Sequence, residues 1–78
     1  MIVRVTCMKN NHRVIYDNCT EIEISEFMDD DTEMYCIGYR LHLDDDRTVN
    51  FRNGFLIEVY ANEWEYNNGY CRCTIETP

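Results

Sequence analysis

Proline is all but missing from this chain: of 78 residues only the last, Pro78, is one, and glycine occurs three times. That scarcity excludes a Pro- or Gly-rich linker, a collagen-like segment and a phosphate-cradling glycine loop. No Gly-x-Ser-x-Gly elbow and no His-Glu-x-x-His pair is present either, so the sequence offers no enzymatic signature. Basic residues are also few. Seven Lys and Arg against fifteen Asp and Glu give a formal charge of -8, which argues against direct contact with nucleic acid or an anionic membrane. Nowhere do 18 uncharged apolar residues run together, and the start "MIVRVTCMKNN" lacks a signal-peptide core. The expectation is a cytoplasmic protein, in the host cytoplasm if it is phage-encoded. Its five cysteines, an odd number, are then reduced thiols, and Asn18-Cys19-Thr20 is no glycosylation site.

What remains is rich in core formers, 45% apolar and 13% aromatic, so the chain folds despite its charge. Residues 1–78 are expected to form a single small acidic domain, near the lower size limit for one hydrophobic core, which makes self-association an alternative from the start. Apolar side chains recur at every second position. Tyr35, Ile37, Tyr39, Leu41 and Leu43 alternate within 33–43, Val3, Val5 and Cys7 within the first segment, and Ile22 and Ile24 against Glu21 and Glu23. The pattern predicts an all-β antiparallel meander of six to seven strands, forming a small barrel or a two-layer sandwich.

Turn chemistry suggests the pairing. "YNNGY" contains Asn68-Gly69, a strong two-residue hairpin signal, and predicts a final hairpin over about 61–76 with Glu65 opposite Arg72. In that hairpin Trp64 and Tyr66 share a face with Cys71, Cys73 and Ile75, and a bulge falls near Ala61-Asn62, with a short helical turn near 61–66 as the alternative. A first hairpin turning at Asn10-Asn11 places Val5 opposite Tyr16 and Cys7 opposite Val14. The triplet Asp44-Asp45-Asp46 reads as a three-residue loop, because that spacing sets Leu41 against Val49 and Tyr39 against Phe51 and keeps the apolar face continuous. The triplet Asp29-Asp30-Asp31 reads as another turn, and Gly38 as a bend in the long strand between them.

Those two triplets raise the question of a metal. They lie at opposite ends of strand 33–43, roughly 36 Å apart at strand rise, and neither alone spaces its carboxylates as a calcium loop does. No metal and no cofactor is expected. Cys7, Cys36, Cys71 and Cys73 read as small buried apolar residues, since zinc sites announce themselves as paired Cys-x-x-Cys or Cys/His clusters and here there is one Cys-x-Cys. His12 and His42 read as surface residues. Six tyrosines, with Trp64, exceed what one small core hides, so some, with Met8 or Met28, are candidates for a contact surface.

The acidic surface carries the functional expectation. Glu21 and Glu23 stand about 6.6 Å apart on one strand face, and Glu26, Asp29, Asp30, Asp31 and Glu33 continue the charge, with Asp44, Asp45 and Asp46 at the far end. In size, acidity and lack of catalytic residues the whole chain resembles the short inhibitors of phages and mobile elements. Some anti-CRISPR and anti-restriction proteins of that kind imitate nucleic acid. The resemblance rests on size and charge, with no matching residues. It implies a non-enzymatic inhibitor or adaptor whose ten named carboxylates engage the basic cleft of a nucleic-acid-handling protein. The alternative is a small oligomeric β-barrel with a structural or ligand-binding role between subunits.

Overall fold

A computed structural model of the chain describes residues 1–29 and 31–77, with side chains for all of these except Ser25, Phe27, Asp29 and Cys36. Seven strands and one short helix follow in the order β1 (Ile2–Cys7), β2 (Arg13–Tyr16), β3 (Cys19–Asp29), β4 (Met34–Leu43), β5 (Thr48–Phe51), β6 (Phe55–Tyr60), α1 (Glu63–Asn68) and β7 (Cys73–Glu76). They form two antiparallel sheets, β2-β1-β6-β7 and β3-β4-β5. The architecture is the two-layer sandwich; among the described residues no barrel closes.

The core lies between the sheets and is supplied by the alternation. Val3, Val5 and Ile57 from the first sheet meet Cys19, Leu41, Leu43 and Phe51 from the second, with Tyr16, Ile22, Tyr39, Val49, Phe55, Val59 and Ile75 packed around them. Phe51 takes edge contacts from both Tyr16 and Phe55, at centroid distances of 6.2 and 5.1 Å. Cys19 thus fills the small apolar role expected of Cys7, Cys71 and Cys73. Cys7 is half-buried, whereas Cys73, at the start of the edge strand β7, and Cys71, ahead of that strand, are exposed. The Cys36 side chain lies outside the described residues.

The second aspartate triplet forms the expected loop. Leu41 pairs with Val49 and Tyr39 with Phe51, and Asp46 adopts the left-handed conformation, φ 63°. The first hairpin corrects the expectation. Val5 lies opposite Val14 and Val3 opposite Tyr16, two residues from the predicted register, because the loop spans four residues, Met8–Asn11. Asn11 is left-handed at φ 60°, Asn10 Oδ1 accepts from the His12 amide, and the Cys7 amide donates to the His12 carbonyl. A shift of two leaves every side chain on its predicted face.

The final hairpin is the larger correction. Residues 63–68 are helical, and β7 pairs with β6 instead of with the segment before Asn68. Asn62 caps the helix, its side chain accepting from the Glu65 amide at 2.9 Å, while the Glu65 carboxylate accepts from the Ala61 amide. Gly69, left-handed at φ 77°, closes the other end, with the Tyr70 amide donating to the Glu65 carbonyl. The Asn-Gly pair that suits a hairpin turn therefore serves as a helix stop. Trp64 stacks on Tyr70 and Tyr66 meets Tyr60 edge to face, in place of the predicted shared strand face with Cys71, Cys73 and Ile75. Glu65 and Arg72 still pair, at 2.6 Å, but from the helix to the residue just before β7.

Candidate protein-binding arm

The long β3–β4 ladder positions the features the sequence singled out. It runs in unbroken register from Glu21/His42 to Asp29/Met34, through the Ser25/Gly38 pair, and its one irregularity lies between Cys19 and Glu21. Gly38 therefore does not interrupt β4. On the other side of β4, strand β5 pairs only with residues 39–42. From the Ser25/Gly38 pair outward the second sheet is a two-stranded ribbon, an arm of residues 25–38 with Ile24 at its root. The chain measures 43 × 28 × 18 Å, and its accessible surface of 5556 Å² exceeds by roughly a tenth the ~5,000 Å² expected of a compact 9.4 kDa protein.

One face of the arm continues the core face past the end of the four-stranded sheet. Ile24 pairs with Tyr39, Glu26 with Ile37 and Met28 with Tyr35, so these six residues share that face. Nearer the body, Ile22 and Leu41 are covered. Further out, Ile24 (69% exposed), Tyr35 (75%), Ile37 (55%) and Met28 (48%) are not, and Met34 is exposed at the tip. Four of them form an apolar stripe on the order of 500 Å², at the upper end of the largest patch found on ordinary monomers.

The stripe is rimmed by one sign of charge. Residues 24–37 contain five acidic residues and no Lys, Arg or His. Glu26 stands within the stripe; Asp31 and Glu33 are exposed in the turn, where Glu33 takes a left-handed φ of 55°. Asp30 and the Asp29 side chain lie outside the described residues. Glu21 and Glu23 project from the opposite face. Glu21 is exposed, whereas Glu23 accepts from Arg40 at 3.2 Å and contacts His42 Nε2 at 2.9 Å. The His42 contact, ahead of Arg40, holds the Glu23 carboxyl below its ordinary range.

At the opposite end of the ladder Asp44 accepts from Asn18 Nδ2 at 2.9 Å and Asp45 is paired with Arg47. Asp46 is exposed in the loop. The eight of these ten carboxylates that are described thus divide between the two ends and the two faces of the ladder, with Glu23, Asp44 and Asp45 among those engaged within the chain. Among the described residues no three His, Cys, Asp or Glu side chains converge as metal ligands would. No helix among the described residues is long and apolar enough to cross a membrane.

Sequence reasoning reached the aromatic surface only in part. Met8, Met28, Tyr35, Trp64 and Tyr70 are exposed, Tyr60 is buried, and Tyr16, Tyr39 and Tyr66 are partly covered. Ile24 and Ile37 were missed because alternation marks them as core-facing without telling where the covering sheet ends. Comparison with known protein families, curated proteins and solved structures returned no match for this chain.

Proposed function

We propose that the chain is a non-enzymatic inhibitor or adaptor that binds a basic surface of a nucleic-acid-handling protein, with the arm as its principal contact. The observation that carries this reading is the arm itself: a two-stranded ribbon whose sequence has five acids and no base and whose described apolar side chains Ile24, Met28, Tyr35 and Ile37 are exposed. Such a surface repels nucleic acid and anionic lipid and attracts a cationic cleft. Carboxylates along a narrow ribbon present closely spaced negative charge, as a phosphate backbone does. Glu21 on the outer face and Asp46 at the far end extend the charge, and Glu23, already neutralised by Arg40, adds least.

The test is affinity capture from the source cell at low salt, with Glu21, Glu26, Asp29, Asp30, Asp31 and Glu33 changed to their amides in the comparison chain. The expected result is a basic, nucleic-acid-binding partner that the wild type retains, the amide chain loses, and added salt releases. Capture insensitive to both salt and the amide changes contradicts the proposal.

A further inference from the structure

We infer that the apolar stripe of the arm is the seat of a basic amphipathic helix presented by a protein partner. The inference rests on the proposed acidic contact and says what lies at its centre. Ile24, Ile37, Met28 and Tyr35 are exposed on a face whose inner continuation, Ile22 and Leu41, is covered by the four-stranded sheet. Beyond that sheet no described residue covers them. Two adjacent strands make a stripe about 10 Å wide with its side chains, and four residue steps from Ile24 to Met28 make it about 13 Å long. An α-helix is about 10 Å across and completes two and a half turns in 13 Å, so three anchors at i, i+3 or i+4, and i+7 span the stripe.

Charge selects among the occupants. A second copy laid arm on arm brings two sets of five acids together with no cation in either arm, and sets each Glu26 against an apolar stripe. An anionic lipid surface meets the same repulsion. A helix with Lys or Arg flanking its apolar side instead meets Glu26 in the stripe and Asp31 and Glu33 at its end. The ~500 Å² stripe supplies over half of the ~800 Å² that each partner buries in a standard interface, and the acidic rim supplies the remainder.

The probes are three synthetic peptides of about 18 residues titrated onto the full chain by calorimetry: a Leu/Lys helix with one apolar side, a permuted sequence of the same composition, and oligolysine. The expected result is binding of the amphipathic helix at least about tenfold tighter than the permuted peptide. The double variant Ile24→Ser/Ile37→Ser loses that advantage while its urea midpoint stays near wild type, since both residues are exposed. Equal binding of all three peptides, unaffected by the double variant, overturns the inference and leaves the acidic contact standing. Failure of every cationic peptide to bind overturns both. A wild-type dimer by sedimentation that Ile24→Ser/Ile37→Ser converts to monomer also overturns it, because a second copy then covers the stripe.

Discussion

Glu26 lies directly opposite Ile37 in the β3–β4 ladder, so a carboxylate interrupts the exposed apolar stripe of the arm. Glu26 is exposed, so in the free chain its charge stays solvated. It penalises any apolar surface that closes over the stripe without bringing a cation.

Replacing that charge removes the penalty. Glu26→Leu joins Ile24, Met28, Tyr35 and Ile37 into a continuous apolar face, and the variant is expected to self-associate at micromolar concentration while the wild type sediments as a monomer. Sedimentation velocity over a concentration series checks this; a monomeric Glu26→Leu chain contradicts the gatekeeping role.

Stability resides in the sandwich and not in the arm. Leu41→Ala or Ile57→Ala, each at a fully buried position, is expected to cost about 2–5 kcal/mol. Ile24→Ala and Tyr35→Ala are expected to stay within about 1 kcal/mol of wild type. Urea denaturation separates the two classes. Equal costs at Leu41 and Ile24 mean that the arm is packed in solution.

The short helix depends on its two ends. Asn62→Ala removes the side-chain acceptor for the Glu65 amide and is expected to cost about 1 kcal/mol. Gly69→Ala costs a similar ~1 kcal/mol through its positive φ alone, since a Cβ there meets nothing within 4 Å. Gly69→Asn is expected to cost less than Gly69→Ala, because Asn tolerates the left-handed region. Denaturation midpoints read all three; a harmless Gly69→Ala contradicts the cap.

Acid should unfold the chain in part through Glu58. Arg4 donates two hydrogen bonds to its carboxylate, at 3.0 and 2.9 Å, and lies over the rings of Tyr60 and Tyr66. The Arg4 hydrogen bond holds the Glu58 carboxyl below its ordinary value of 4.5, and Arg4 itself is raised. Between the folded and unfolded values the unfolded chain binds the extra proton. The pair's contribution is therefore complete above the unfolded value and lost as pH falls through the folded one. Glu58→Gln is expected to cost about 1–3 kcal/mol at pH 7 and to flatten the decline of stability below pH ~4.5. Chemical denaturation of both chains from neutral to acid pH tests it, and parallel profiles contradict it.

The fold was legible wherever alternation and turn length together leave one register. Leu41 opposite Val49 follows from Asp44-Asp45-Asp46 as a three-residue loop, because a two-residue loop at Asp45-Asp46 pairs Leu41 with Asn50 instead. Asn10-Asn11 was less decisive, since a two-residue shift keeps every side chain on its face. Asn68-Gly69 misled because positive φ at glycine suits both a hairpin and a helix end. Asn62 three residues before Glu65 was the signal that separates them, a capping pattern with an acceptor at the cap and a carboxylate in the first turn. The acidic residues of the arm could be named from sequence, but not which were already paired. Glu23 meets Arg40 and His42 only through the ladder, seventeen and nineteen residues away.

Binding through the arm is tested most directly by a chain in which residues 25–38 are replaced with Asn-Gly, joining Ile24 to its ladder partner Tyr39 and leaving the sandwich intact. Titrated with the partner captured at low salt, this chain is predicted to melt like wild type and to bind at least about a hundredfold more weakly. A folded, arm-less chain that binds the same partner with undiminished affinity contradicts it.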